Sequence, residues 1–289
     1  MIRIENLTYI YLAGTPYEKK ALDSVSLHIE KNSFTGIIGS TGSGKSTLVQ
    51  HLNGLLKPAS GTVTVDGEDV SGKNLKELRR NVGLVFQYPE HQLFEETVYK
   101  DIAFGLTKQG WSEEEIRDKV MAALRAVDID ESLLDKSPFE ISGGQKRRVA
   151  IAGVIAMKPK VLVLDEPAAG LDPKGREDIY RMVGAMHEAG DMTVILVSHN
   201  MEDVARHAQR VVVLHKGRLE MQGTPGEVFM QHDRLTGMGL DVPQITRVML
   251  HLKTLFPDLS SETLTVEDAK DAILKYIGIN LWKEGSRFR

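Results

Sequence analysis

The chain has no cysteine among its 289 residues. Disulfides, thiolate-held zinc, iron–sulfur clusters and a thiol nucleophile are therefore excluded, and the composition suits a cytosolic setting. A long hydrophobic run is also missing. A bilayer-spanning helix needs about 20 consecutive apolar residues. The longest apolar stretches here, Val161–Leu164, Val194–Val197 and Val211–Leu214, are only strand-sized. The opening residues, Met1-Ile2-Arg3-Ile4-Glu5-Asn6, have neither a long apolar stretch nor a small-residue cleavage site, so no signal peptide is expected. Nor is there an excess of positive charge. The 36 basic and 40 acidic side chains leave a net −4, which argues against a surface built to track nucleic-acid phosphates.

What is present points to a folded, soluble protein. Apolar residues form 42% of the chain, enough to bury a core and to exclude wholesale disorder. The length fits one large domain or two of ordinary size. The apolar runs are β-branched and bounded by polar residues, so they read as strands buried on both faces of a parallel sheet. Ile37-Ile38 reads as another. Helical patterns between these runs make the class α/β. Period-two alternation in Ile2–Leu7, Val25–Ile29 and Gly61–Gly67 predicts antiparallel strands beside the parallel core.

Residues 89–158 carry few strand signals and read as a helical insert. Within it, Ser112-Glu113-Glu114-Glu115 is a capping box that opens a helix through Ile116, Val120, Leu124 and Val127. The pattern breaks across Gln231–Gly239. Beyond it, a helix from Pro243 places Ile245, Val248, Met249, Leu252 and Leu255 on one face. A second helix, capped by Thr265-Val266-Glu267-Asp268, is expected to end near Gly278. No internal repeat or low-complexity tract interrupts this order.

Gly39-Ser40-Thr41-Gly42-Ser43-Gly44-Lys45-Ser46-Thr47 matches the phosphate-binding P-loop in full and directly follows Ile37-Ile38. Its glycines let the backbone curl until several N–H groups face one anion. The helix that follows adds about half a positive charge at its N-terminus. Lys45 should reach the β- and γ-phosphates of a nucleotide, and the Ser46 hydroxyl should ligate Mg²⁺.

Val161-Leu162-Val163-Leu164-Asp165-Glu166-Pro167 is an apolar strand that ends in two acids. Asp165 suits the strand-end carboxylate that holds the Mg²⁺ shell in P-loop proteins. Glu166 follows at the strand's C-terminal end, where open α/β sheets bind ligands. A carboxylate there can deprotonate or polarise a water attacking the γ-phosphate. His199 ends a comparable strand and can donate a hydrogen bond to the γ-phosphate or the water. The other histidines lack metal-like pairing and read as ordinary surface or interface residues.

Ser142-Gly143-Gly144 precedes a helix that begins near Gln145. Its free N–H groups and the Ser142 hydroxyl make a second anion site. The surrounding run, Ile141-Ser142-Gly143-Gly144-Gln145-Lys146-Arg147-Arg148, resembles the signature motif of ATP-binding-cassette (ABC) ATPases, with isoleucine where leucine is usual. Arg148 reads as part of a solvated helix face, while Lys146 and Arg147 can belong either to that face or to the site. The resemblance covers about residues 1–230 in the family's order and implies an ATP-binding domain over 1–235. Gln87 follows Val82-Gly83-Leu84-Val85-Phe86 as the Q-loop. The signature comes next, then Asp165-Glu166, then Ala169-Gly170-Leu171-Asp172 as the D-loop, then His199 as the switch histidine.

The resemblance implies a P-loop ABC cassette. Its parts are a RecA-like parallel core, an antiparallel β subdomain and a helical subdomain over residues 89–158. The small C-terminal helical extension, residues 240–289, is expected to support dimerisation. The resemblance also implies an ATP hydrolase that uses ATP and Mg²⁺. In this family the signature loop, Ser142, Gly143, Gly144 and Gln145, faces the γ-phosphate held by a partner's P-loop, so a working unit needs two chains. Gln87 would reach Mg²⁺ or the attacking water. Asp172 would couple the two sites across the dimer interface. The adenine would stack on an aromatic ahead of the P-loop, best matched by Tyr11, with Tyr9 and Tyr17 as alternatives.

Three further stretches resemble the ATPase subunits of energy-coupling-factor (ECF) transporters, A-prime type most closely. They are Gly14–Leu22, Phe86-Gln87-Tyr88-Pro89-Glu90-His91-Gln92-Leu93-Phe94 and Glu166-Pro167-Ala168-Ala169-Gly170-Leu171-Asp172-Pro173. This resemblance implies a second ATPase subunit, identical or different. It also implies a transmembrane scaffold, a substrate-binding membrane subunit and a peripheral place on the cytoplasmic face of the cell membrane. The cargo would be a vitamin or a transition-metal ion. Pro89–Phe104 is the candidate docking surface, with Leu93, Phe94 and Ile102 offered either to scaffold helices or to the insert's own core. The rival assignment is a non-transport ABC ATPase of the repair or translation type. The chain lacks the long heptad insertions or the second cassette those proteins usually carry, and nucleic acid is not expected as a partner.

Overall fold

The computed structural model describes residues 1–72, 75–190 and 192–285, with side chains described as far as residue 278. The chain opens with an antiparallel pair, β1 (Ile2–Tyr11) and β2 (Lys19–Ile29), and enters the central sheet through β3 (Phe34–Ile38). Helix α1 (Lys45–Leu52) leads to β4 (Ser60–Val65) and the short β5 (Glu68–Asp69). These complete an antiparallel sheet ordered β2-β1-β4-β5. After α2 (Lys76–Asn81) and β6 (Val82–Val85) come α3 (Val98–Gln109), α4 (Glu113–Ala126) and α5 (Gly143–Ile155). The chain returns to the core through β7 (Val161–Asp165), α6 (Pro173–Ala189), β8 (Thr193–Val197), α7 (Met201–His207), β9 (Arg210–His215) and β10 (Arg218–Gly223). The central sheet is ordered β10-β9-β3-β8-β7-β6, and only the β9–β10 pair is antiparallel.

Alternation along the central strands divides the interior into two cores. Leu162 and Leu164 of β7, Val194 and Leu196 of β8, and Val211 and Val213 of β9 face a core shared with α3 to α7. Their neighbours Val161, Val163, Ile195, Val197, Val212 and Leu214 face the antiparallel sheet and α1. Every one of these residues is buried because both faces of the sheet are covered, which is why the runs are continuous rather than alternating.

The insert contains no strand among its described residues, as its composition predicts. The capping box at α4 is formed: the Ser112 hydroxyl accepts from the Glu115 N–H, and the Glu115 carboxylate accepts from the Ser112 N–H. Ile116, Val120 and Leu124 line its buried face. Ile102, offered above as a docking residue, is fully buried between the helices. Phe94, by contrast, is 61% exposed and meets the partly exposed Phe104 edge-on at 5.0 Å.

The C-terminal segment departs from expectation in three ways. Gln231–Gly239 is not a break in structure, because α8 (Pro225–Phe229) is followed by a short helix α9 (His232–Gly237) whose Leu235 is buried. Helix α10 (Gln244–Leu255) buries Thr246 and Met249 and leaves Val248 and Leu255 exposed, so its inward face is narrower than its apolar stripe. Helix α11 (Val266–Gly285) continues past Gly278, and residues 286–289 of the expected extension lie outside the described residues. Helices α10 and α11 share a small core of their own, built on Met249, Leu259 and Ala269. The Thr265 cap is present, its hydroxyl accepting from the Asp268 N–H at 3.1 Å.

Leu162 lies on β7, one strand in from the β6 edge, and is completely buried. Leu162→Ala should cost about 2–5 kcal/mol of stability, seen as a lower urea midpoint at unchanged slope. An unchanged midpoint would contradict the placement of β7.

Candidate nucleotide-binding site

Parallel pairing sets the candidate residues side by side. Ile37 of β3 and Asp165 of β7 both pair with Val197 of β8. The ladder continues past the strand ends: Glu166 N–H donates to the Val197 carbonyl at 2.9 Å, and Ser198 N–H donates to the Ile37 carbonyl at 3.3 Å. Gly39, Glu166 and His199 therefore leave the sheet at one edge, the carboxyl edge where α/β proteins bind ligands.

The P-loop turns from β3 into α1 through a route only glycine allows at two points. Gly44 has φ 105°, and a Cβ on it would lie 2.7 Å from the Ala21 carbonyl oxygen. A Cβ on Gly39 would lie 2.3 Å from the Leu214 carbonyl oxygen. Inside the curl, the Lys45 ammonium donates to the carbonyls of Gly39 at 2.7 Å and Ser40 at 3.1 Å. Burial pushes its pKa down, against the opposing pull of Glu166 and Asp165. The Ser43 hydroxyl is buried without a hydrogen-bond partner, an arrangement that a phosphate oxygen in the loop would complete. Thr41 and Gly42 are exposed at the loop's crown, and Ser46 is exposed beside Lys45.

Tyr11 is held against α1, its hydroxyl 3.2 Å from the Thr47 hydroxyl, and keeps 37% of its surface open. Tyr9 packs edge-on between Tyr11 and His51, both at 4.9 Å, while Tyr17 projects from the following turn at 80% exposure. His51 corrects the view of the other histidines as surface groups. It is fully buried, with Nδ1 2.7 Å from the Thr47 carbonyl oxygen, and burial lowers its pKa.

The two acids at the end of β7 differ in character. Asp165 is buried, and burial raises its pKa although the Ser46 hydroxyl donates to it and Lys45 pulls the other way. Glu166 adopts a left-handed backbone, φ 54°, sparsely populated for a non-glycine residue and frequent at functional sites. Its Oε2 lies 2.8 Å from His199 Nδ1, and the imidazole stays largely exposed. Gln87, also exposed, lines the same cleft of about 240 Å³ as Glu166 and His199.

The rear of this cleft holds two groups absent from the sequence-based assignment, Tyr180 and Asp203. Burial raises the pKa of both, and their side chains are hydrogen-bonded to each other. Tyr180 lies at an apolar helix position and carries no local motif; Asp203 lies in the first turn of α7, which begins just after His199.

Ser46, Asp165 and Gln87 supply oxygen ligands of the kind Mg²⁺ takes. Among the described residues no cluster of three His, Cys, Asp or Glu side chains could hold a metal alone. A Mg²⁺ here would depend on phosphate oxygens and water for the rest of its shell, which is its usual habit.

The signature segment lies on the insert. Ser142 is the N-cap of α5, accepting from the Gln145 N–H at 3.3 Å, while Gln145 Oε1 accepts from the Ser142 N–H at 2.9 Å. Gly143 and Gly144 are exposed, and a Cβ on either would meet only open space. The cap thus orders the first turn and leaves its amides accessible. Asp172 plays a similar part at α6, capping the Gly175 N–H at 2.8 Å from an exposed position.

The basic run after Gln145 does not form one solvated face. Lys146 lies over the Phe139 ring at 5.6 Å. Arg148 turns inward, against expectation, donating to the Val127 carbonyl at 3.3 Å and to Asp178 at 3.1 Å. Arg147 is buried and bonded to Glu90 and to the carbonyls of Pro167 and Ala169. The signal for Arg147 was present: it lies one turn before the buried Ile151 on α5.

The ABC transporter family matches residues 22–169, just over half of the chain. Energy-coupling factor transporter ATP-binding protein EcfA2 of Acetivibrio thermocellus is 58% identical over 96% of this chain and 98% of its own length. The protein of that name from Caldanaerobacter subterraneus is 53% identical over 96% and 97%. Among solved structures, cbiO1 of Clostridium perfringens, described as part of the ABC transporter complex cbiONQ, superposes with TM-score 0.73 at 41% identity. It covers 86% of this chain and 98% of that one. A dimeric ATP-binding cassette in a post-hydrolysis state with ADP and Pi superposes with TM-score 0.70 at 30% identity, over 78% and 99%. The chain belongs to the ABC transporter family of ATP-binding, ATP-hydrolysing proteins, and within it to the energy-coupling factor transporter ATP-binding proteins.

Proposed function

We propose that this chain is the ATP-driven clamp of an ECF-type importer, carrying half of each of two nucleotide sites. The observation that carries this reading is the shared sheet edge. Lys45, Asp165 and the Glu166–His199 pair converge there, while the Ser142 loop sits apart on the insert. On this reading Gly39 to Thr47 wrap the phosphates, Lys45 exchanges its bonds to Gly39 and Ser40 for phosphate oxygens, and Tyr11 stacks on the adenine. Ser46, Asp165 and Gln87 would hold Mg²⁺, which supplies charge neutralisation across the β- and γ-phosphates when bound.

Glu166 accepts a proton from the attacking water. His199, held by Glu166 through Nδ1, is left with Nε2 to direct at the γ-phosphate or the water. The open Gly143 and Gly144 amides and the Ser142 hydroxyl meet the γ-phosphate on the second ATPase chain, and Asp172 lies across the interface. Closure of the pair excludes water and strengthens every charged contact inside. Loss of phosphate removes the charge that bridges the chains, and they part.

The partners on this reading are a second ATPase, a membrane-embedded scaffold and a membrane subunit that selects a vitamin or transition-metal ion. No helix among the described residues is long and apolar enough to cross a membrane. On this reading the chain sits against the scaffold's cytoplasmic side. Phe94 and Phe104 offer apolar surface on the insert for that contact. The α10–α11 pair leaves Val248, Leu255, Phe256 and Leu274 exposed, apolar surface suited to pairing the two ATPase chains.

Lys45→Ala should weaken ATP binding at least about tenfold by calorimetry, since a charge-assisted phosphate contact is lost; undiminished binding would refute the loop's assignment. Glu166→Gln should retain ATP binding and lower turnover by about 10²-fold or more. Hydrolysis at the parent rate would show that another group activates the water. Removing residues 240–289 should weaken pairing of the ATPase chains by light scattering, and an unchanged dimer would remove that role from α10 and α11.

A further inference from the structure

We infer that Arg147 is a positioning residue that ties Glu166, which serves this chain's own nucleotide, to the Ser142 loop, which serves the partner's. The inference rests on the roles proposed above for Glu166 and Ser142. Arg147 is only 2% exposed, although it stands within a run of three cations. Its Nε donates to Glu90 Oε2 at 2.9 Å and Nη2 donates to Glu90 Oε1. Nη1 donates to the Pro167 carbonyl at 3.2 Å and the Ala169 carbonyl at 2.8 Å. A planar guanidinium can grip a carboxylate with one edge and two carbonyls with another, which an ammonium cannot. Burial alone would push the Glu90 carboxyl up, but the hydrogen bonds and charge of Arg147 bring it below its ordinary value.

Three segments meet on this one side chain. The first is α5, five residues after Ser142. The second is the loop that follows Glu166. The third is the 3-10 turn Pro89–Gln92, which starts two residues after Gln87. The second contact bears on chemistry. Glu166 bends through a left-handed conformation, and its N–H is fixed to the Val197 carbonyl at 2.9 Å. On the other side of the bend, Pro167 has no N–H to anchor. The Ala169 N–H turns back to the Glu166 carbonyl at 3.1 Å, which closes the turn on itself, while the buried Ala168 packs into the core. Arg147 adds the polar tie to α5. When Ser142 engages the partner's nucleotide, a shift of α5 is passed through the guanidinium to the peptides beside Glu166. The two sites are then coupled within one chain.

The test uses the full-length chain in its ATPase pair. Arg147→Gln should keep affinity for a fluorescent ATP analogue within about twofold, because the P-loop is untouched. Its kcat should fall about 10- to 100-fold as the carboxylate loses its position. The ATP dependence of the rate should flatten to a Hill coefficient near ~1. Arg147→Lys keeps a buried cation if the glutamine variant fails to fold, and should show the same split without rescue. Glu90→Gln keeps the grip on both carbonyls and should hold kcat within about threefold of the parent. A folded Arg147 variant with parental kcat and Hill slope would overturn the inference. Glu166→Gln, assayed alongside, separates the two failures: if it leaves turnover unchanged, the reading of the site itself has failed. If it abolishes turnover while the Arg147 variants match the parent, only the tie has.

Discussion

The register of three parallel strands is the constraint on which the site depends. Because Ile37 and Asp165 share Val197 as their ladder partner, three chain segments distant in sequence leave the sheet at one level. One carries the curled phosphate loop, one carries two carboxylates, and one carries an imidazole. A slip of one residue in β7 would turn Leu162 and Leu164 toward the wrong core and move Asp165 off the edge, so the packing of both faces enforces the alignment of the chemistry. Stability and site geometry are here the same set of contacts.

The positive charge of the phosphate loop is held by weak partners. Lys45 is folded onto two main-chain carbonyls, and the buried Asp165 accepts from the Ser46 hydroxyl. Such an arrangement favours an incoming polyanion, since carbonyls are weaker partners for an ammonium than phosphate oxygens. At the other half-site, the cap that stabilises the first turn of α5 is also what holds the Gly143 and Gly144 amides open.

Much of this was legible in the sequence because the relevant signals are local. β-branched runs mark strands covered on both faces, glycine spacing marks the phosphate loop, and Ser112 with Glu115 marks a capping box. The less legible features depend on which side of a helix meets the core. Arg148 reads as part of a solvated face and Arg147 stays open between that face and the site, yet both turn inward, and only the spacing of Arg147 from Ile151 marks it as an inward position. Val248 and Leu255 belong to the apolar stripe of α10 but remain exposed, because α11 covers only the Met249 side. Ile102 and Phe94 lie in one segment, Pro89–Phe104, with opposite fates, one in the core and one at the surface. Tyr180 and Asp203 come together from different helices, a contact with no counterpart in sequence order.

The central claim is that a nucleotide on this chain's P-loop is completed by another chain's signature loop, and the reverse. A cryo-electron microscopy structure of the assembled complex with a non-hydrolysable ATP analogue and Mg²⁺ tests it most directly. The account predicts Ser142 and the Gly143 and Gly144 amides within about 3 Å of the γ-phosphate held by the other ATPase. It also predicts Glu166 facing the γ-phosphate bound to its own loop. Nucleotide seated on the P-loop while the Ser142 loop faces solvent or its own chain's nucleotide would contradict it.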